Sequence, residues 1–452
     1  MNATPSSTPD VEACDVFVIG GGPAGSTAAT LLARQGRKVV LTEKAQHPRF
    51  HIGESLLPSN VALFDQLGVR QQVEAIGMPK WGIEFVSPEH THRSYLEFAE
   101  QWDKRQPYAW QVRRSELDEL LFRNAASCGA STLEGCRVRD VAYDDDGATV
   151  TAELDDGAGG KTSRQWRARY VVDASGRDTF MANKLRCKEK NPAHNSSALF
   201  GHYTGARRLP GIKEGNISIL WFEHGWFWFI PLADGQTSVG AVCWPYYLKS
   251  RDKPLKDFFD DTIALCPELA DRLKDATLVG HQVHATGNYS YIASHAAGGR
   301  YVMLGDAYTF IDPMFSSGVY LAMHSAFDAV DLVATTLDRP AEAARARKVF
   351  EKRLKIGPKE FSWFIFRVTN PTIREMFMYP ANPLRVKEAL LSLLAGDLYG
   401  NSPIKPSLWA LKGIYYMISI RNWRRSWAGW KRRHRNIEDM GPLAGENILE
   451  AR

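Results

Sequence analysis

Cysteine is scarce and unpatterned in this 452-residue chain: Cys14, Cys128, Cys136, Cys187, Cys243 and Cys266 form no CxxC pair and no zinc-like spacing. That removes a cysteine metal site and fits reduced, mostly packed thiols in the cytoplasm. His281 and His284 of "HQVH" have no third ligand nearby, so they read as structural and no metal is expected. The opening "MNATPSSTPDVEA" has no apolar stretch, so residues 1–13 read as a disordered lead-in and not as a signal peptide. A membrane span needs about 20 apolar residues; the best late run, around "WALKGIYYMISI", is too short and is interrupted by Lys412.

What the chain does have is 44% apolar residues, enough to bury a sizeable core in two or three closely packed lobes. The stretch "CDVFVIGGGPAGSTAATLLARQGRKVVLTEK" runs from a β-branched strand through a glycine turn into a small-residue helix, then into a second strand. Gly20 allows the tight turn, Gly22 lets backbone approach a pyrophosphate, and Gly25 allows close helix packing. Glu43, at the end of the second strand, is placed to hydrogen-bond a ribose and disfavours a 2′-phosphate. Together they indicate dinucleotide binding, without separating NAD from FAD. No second GxGxxG with strand and acid follows for a separate nicotinamide nucleotide.

Two later stretches settle the cofactor by resemblance. "RYVMLGDAYTFIDPMFSSGVYLAMHSAFDAVDLV" resembles the second FAD fingerprint of the para-hydroxybenzoate-hydroxylase-like flavoproteins, with Asp306 at the position that contacts the ribityl-pyrophosphate region. "VRRSELDELL" places Arg114 where that superfamily has an FAD-contacting arginine. The NADPH-using hydroxylases among them carry a "DG" signature, whereas "YVVDASGRDTFMANKL" has Ala174 and Ser175 between Asp173 and Gly176. The departure implies that FAD arrives already reduced, from a partner flavin reductase.

"GWFWFIPL" alternates Trp226, Trp228 and Ile230 with Phe227 and Phe229, the pattern of a strand buried on both faces and stopped by Pro231. Taken alone it is core. It also matches the WxWxIP motif of flavin-dependent halogenases, and "RFHIGESLLPS" and "FIDPMFSSGV" match the same family. The resemblance spans roughly the first three-quarters of the chain. It implies that Trp226 and Trp228 stand between flavin and substrate, so that only a small anion, chloride or bromide, reaches the oxidant made from reduced FAD and oxygen.

The same resemblance implies a halide site at the backbone N–H groups of Ser317 and Gly318, where a turn feeds a helix N-terminus. An ordinary cap by Ser316 or Ser317 would give the same local sequence. Lys80, in "GMPKWGIEF", falls at the family's lysine position, where an amine holds and aims hypohalous acid and burial would lower its pKa. Halogenases of free tryptophan carry a glutamate directly before the serine of the turn; here it is Phe315. That resembles the branch acting on phenols, pyrroles and carrier-tethered aromatics, rings that activate themselves.

The expected fold is α/β: a discontinuous Rossmann-like FAD-binding domain (14–185 and 296–340), a mixed β-sheet substrate lobe (186–295) and a helical C-terminal extension (341–452). In its tail Trp423, Trp427 and Trp430 share one helical face among arginines. This face suits an anionic membrane surface, an acidic acyl carrier protein or the protein's own core; nothing suggests nucleic acid. The expected protein is cytoplasmic, with peripheral contact at the inner face of the membrane as an option. Two other readings share the sequence: a monooxygenase or reductase on the same scaffold, and a non-catalytic flavin-binding scaffold.

Overall fold

The strand Glu12–Ile19 forms because its β-branched and aromatic residues can be buried on both faces, and Val16, Phe17 and Val18 are wholly enclosed. It pairs in parallel with Val39–Thr42 on one side and Lys161–Asp173 on the other. The computed structural model describes residues 11–438 apart from 158 and 288–289, so residues 1–10 of the expected lead-in lie outside the described residues. Its last two residues, Glu12 and Ala13, already belong to this strand.

Seven strands make the first sheet. Ser131–Leu133 and Tyr301–Met303 extend it in parallel, and Cys136–Tyr143 and Ala148–Asp155 form an antiparallel meander with Lys161–Asp173. The helix Pro23–Arg34 packs against Gly318–Asp338 and Arg114–Ser127. This brings together segments some 300 residues apart against the central strands of the sheet, as a discontinuous dinucleotide fold requires.

The second sheet has eight strands. Its centre is Ser197–Thr204, Gln236–Cys243, Gly225–Pro231 and Ile217–Phe222, hydrogen-bonded in that order. Gly82–Val86 then joins Ile217–Phe222 in parallel, and Ser94–Glu97 follows at the edge. These two strands come from within the stretch expected to bind FAD, so the second sheet draws on residues outside 186–295. They differ from expectation because a short strand's partner is fixed only by the fold.

The described residues after 342 form the helices Ala343–Leu354, Ile356–Ile365, Pro371–Met378, Val386–Ala395, Lys405–Arg421 and Trp423–Glu438. Their apolar faces, with Phe361, Phe364, Phe377 and Leu391, share one core with Trp226, Trp228 and Ile230. Phe227 and Phe229 face the other way, into a separate core with Phe258 and Phe259. The expectation of a strand buried on both faces therefore holds. All six cysteines are unbonded. His284 stacks on Phe50 and Phe200. Among the described residues no cluster of three or more His, Cys, Asp or Glu side chains could hold a metal.

Candidate active site

At the sheet's end the chain turns at Gly20 with φ +101°, and a Cβ there would lie 2.4 Å from the Ala174 carbonyl oxygen. A Cβ on Gly25 would lie 1.9 Å from the Gly20 carbonyl oxygen, so helix and turn touch through backbone alone. Gly22 differs: the nearest atom to its Cβ position is 3.5 Å away, and no side chain caps the helix that Pro23 begins. The helix therefore offers uncapped N–H groups and its positive end to an anion.

This turn opens on a groove of about 970 Å³ lined by Gly20, Gly22, Glu43, Arg114, Asp306, Trp226, Trp228 and Gly318, among others. Eight of the eleven residues singled out from sequence are thus in its wall. Gly25 lies beneath the turn. Ser317 lines a neighbouring cavity of about 30 Å³ that shares Asp306, Phe310 and Gly318 with the groove. Lys80 is wholly buried behind Ser55, which does line the groove.

The cofactor end is electrostatically organised. Glu43 accepts from the N–H of Gly21 and of Ala45, both 3.1 Å, and pairs with Arg49 at 3.1 Å. Arg114 makes a bidentate pair with Asp118 at 2.8 and 3.0 Å and donates to the Ile52 carbonyl at 3.0 Å. Burial pushes the Asp118 carboxyl up, but the charge and hydrogen bonds of Arg114, helped by Arg49, hold it below the usual carboxylate range. Enclosure pushes Asp306 up to about 6, against the pull of Arg177 and Arg114. The uncapped helix end, the open Cβ position at Gly22 and a groove of this size fit FAD.

Beyond it stands the indole wall. The Trp226 and Trp228 rings are 6.2 Å apart at 55°, and Trp228 Nε1 donates to Ser238 Oγ on the next strand at 3.1 Å. Burying one indole hides about 200 Å², about 5 kcal/mol at 25 cal/mol/Å², so stability alone would justify both. What core duty does not account for is their place in the groove wall.

In the same lining, the Pro313–Phe315 turn leaves Ser316 at φ +56° and Ser317 in a right-handed conformation, the backbone alternation of an anion-binding nest. Ser317 makes no side-chain cap. Asp312 braces the turn: it accepts from the Met314 N–H at 3.0 Å and from Ser196 Oγ at 2.7 Å, and pairs with His194 Nε2 at 2.7 Å. Phe315 is buried against Phe361 and Phe377, so no carboxylate stands at that position.

Lys80 Nζ donates to Ser55 Oγ at 2.9 Å and to the Leu56 carbonyl at 3.0 Å. Among the described residues no carboxylate is paired with it, and burial lowers its pKa to about 7. Next to Ser55, Glu54 pairs with His202 at 2.7 Å while its second oxygen has no partner. Glu54, His202, Arg49, Asp312, His194 and Ser196 were not singled out from sequence. Arg49 and Glu54 lie within "RFHIGESLLPS" and Asp312 within "FIDPMFSSGV", so only the motif context could have flagged them.

Comparison with known proteins agrees with this geometry. Residues 13–359 match the family model described as FAD binding domain. The chain is 35% identical over 360 residues to the tryptophan 2-halogenase of Chondromyces crocatus, covering 77% of this chain and 65% of that protein. It is 29% identical over 415 residues to a 1H-pyrrole-2-carbonyl-[peptidyl-carrier protein] chlorinase of Pseudomonas fluorescens, covering 86% of this chain and 91% of that one. Among solved structures the myxobacterial chondrochloren halogenase CndH superposes with a TM-score of 0.75 at 30% identity, covering 87% of this chain and 92% of that chain. The fold and groove are those of an FAD-binding oxidoreductase. Within that class the chain belongs to the flavin-dependent halogenases, and FAD is its cofactor.

Proposed function

We propose that the protein halogenates an electron-rich aromatic ring, a phenol, a pyrrole or a carrier-tethered aryl group, using halide, oxygen and FAD reduced by a separate reductase. The carrying observation is the pair Trp226 and Trp228 in the groove wall, with Ser316 and Gly318 of the serine turn in the same wall and the Lys80 amine behind Ser55. Reduced FAD with oxygen supplies the oxidising equivalent that converts chloride or bromide into hypohalous acid.

The chain's own residues do the rest. Gly20, Gly22 and the uncapped helix end hold the pyrophosphate, and Glu43, Arg114 and Asp306 orient the cofactor around it. The indoles exclude the organic substrate, while the N–H groups of Ser317 and Gly318 admit a small anion. The neutral amine of Lys80 attacks the halogen of hypohalous acid: an N–X bond forms, the O–X bond breaks, and hydroxide leaves with the amine proton as water. The ring's π electrons then take the halogen from nitrogen, the ring loses its proton, and the amine is restored.

With Phe315 at the turn, the ring must be activated by its own hydroxyl or ring N–H. The tryptophan 2-halogenase relative brings indoles into the same class of electron-rich rings; the carrier-protein chlorinase supports tethered delivery. The proposed setting is cytoplasmic. Any membrane association is peripheral, since no described helix is long and apolar enough to cross a bilayer.

The test supplies reduced FAD, oxygen and bromide to the purified protein with a resorcinol or pyrrole probe, and reads product by mass spectrometry. Halide-dependent ring halogenation without consumption of NADPH supports the reading. Hydroxylated product formed without halide, or direct NADPH oxidation, moves it to the monooxygenase alternative.

A further inference from the structure

The last two described helices present a surface that halogenation does not use. Trp423, Trp427 and Trp430 follow one another along the outer face of Trp423–Glu438 and are 60%, 51% and 46% exposed. Trp409, Tyr416, Met417 and Ile420 are exposed on the preceding helix, Lys405–Arg421. Of the alternatives open in the sequence, burial of these indoles in the protein's own core does not occur. The Trp427 and Trp430 rings stack at 4.9 Å, and Trp430 lies 3.8 Å from His434.

The charge carried by this segment has one sign. Residues 405–437 contain nine lysines and arginines and no aspartate or glutamate, so with a net charge of +5 overall the rest of the chain stands at −4. Two classes of cation are distinguishable. Arg425 pairs with Glu89 and Glu375, and Arg433 donates to the Ala193 carbonyl and lies 5.3 Å from the Phe366 ring centre. With Ser426 against Thr372 at 3.2 Å, and Asn436 and Ile437 buried, these anchor the helix's inner side. Arg421, Arg424, Lys431 and Arg435 are exposed and make no ion pair with a described carboxylate. Arg424 and Lys431 instead lie over the Trp423 and Trp427 rings, at 5.6 and 5.5 Å.

We propose that this outer face of the tail helices docks the protein on an anionic lipid surface. Indoles interleaved with cations that no described carboxylate pairs suit the headgroup layer, where a ring is half in hydrocarbon and a guanidinium meets phosphate. The exposed rings run along two helices of 17 and 16 residues, each about 25 Å long at about 1.5 Å per residue. An extended bilayer surface covers both. The inference deepens the peripheral association proposed above and is independent of the halogenation chemistry, which is read on a soluble phenol in the same preparations.

Flotation of the full-length FAD-loaded protein with phosphatidylcholine vesicles, with and without phosphatidylglycerol, tests it. The wild type binds only the anionic vesicles, and binding weakens as salt is raised. Each surface cation is worth about fivefold in affinity, so the triple variant Arg424→Gln, Lys431→Gln, Arg435→Gln binds about 100-fold more weakly. A second variant, Trp423→Ala, Trp427→Ala, Trp430→Ala, also loses binding. Both keep bound FAD and circular dichroism, because every altered side chain points to solvent. Equal binding of neutral and anionic vesicles, or unchanged binding in both variants, overturns the proposal. So does capture of an acidic carrier protein, or a dimer formed through this face, in a protein that binds no vesicles.

Discussion

Gly240 sits opposite Trp228 in the register between Gly225–Pro231 and Gln236–Cys243, and a Cβ on Gly240 would lie 2.2 Å from Trp228 Cζ2. The missing methyl is the space the indole occupies. With the Ser238 hydroxyl on Nε1, the ring is held across its neighbouring strand and cannot turn freely into the groove. Gly240→Ala should lower stability by about 1–3 kcal/mol in denaturant unfolding, the cost of overpacking a filled core. It should also reduce ring halogenation more than oxidant formation. Unchanged stability and product would show that the indole is not locked by this contact.

Lys80→Gln should leave halide-dependent oxidant intact and cut ring halogenation at least about 100-fold, the scale of losing a positioned reactive group. Because burial lowers the amine's pKa to about 7, the neutral form grows as pH rises through that value, and wild-type ring halogenation should rise with it. Stability follows the same group. Between about 7 and the ordinary lysine value of 10.5 the unfolded chain binds the extra proton, so this contribution to stability increases with pH across that window. Lys80→Met should flatten the increase, read by unfolding at a series of pH values.

Arg114→Ala removes the bidentate partner of a fully buried carboxylate, Asp118, leaving Arg49 at 3.1 Å as its remaining cation. A loss of about 3 kcal/mol is expected, together with weaker FAD retention on a desalting column. The pH dependence has the same sign as that of Lys80, stability rising with pH, but it falls in the acid range. The Asp118 carboxyl is held low in the folded state, so its contribution is present above the usual carboxylate range and is lost as pH falls. The alanine variant should therefore be less sensitive to acid.

At the turn, Gly318→Ala is sterically tolerated, since its Cβ would meet nothing nearer than Phe310 at 3.9 Å. The methyl would instead enter the space proposed for the anion. Halide KM should rise by about tenfold, the effect of a methyl-sized change in a close-fitting site, with kcat at saturating halide retained. A fall in kcat with unchanged KM would place the halide elsewhere.

The glycine turn, its strands and the tryptophan strand were legible because each carries a local period or a backbone requirement. Gly25 is forced by a 1.9 Å approach, and Trp226 and Trp228 by a two-residue alternation. Pairings distant in sequence were not legible. Glu54 meets His202 across 148 positions, and Asp312 meets His194 and Ser196 across 118 and 116. Gly82–Val86 joined the second sheet through a parallel pairing that no local pattern encodes. Helical spacing placed the tail tryptophans on one face, but only the fold showed that this face is turned outward.

The central claim is that this groove turns halide into hypohalous acid, and it is tested most directly by trapping that acid. Purified protein with reduced FAD, oxygen and bromide or chloride, catalase present, is assayed with a monochlorodimedone-type trap. The account predicts oxidant that depends on halide and on protein, in wild type and in Lys80→Ala alike. Oxidant no greater than the peroxide background, and unaffected by halide, would contradict it and return Trp226 and Trp228 to a purely structural role.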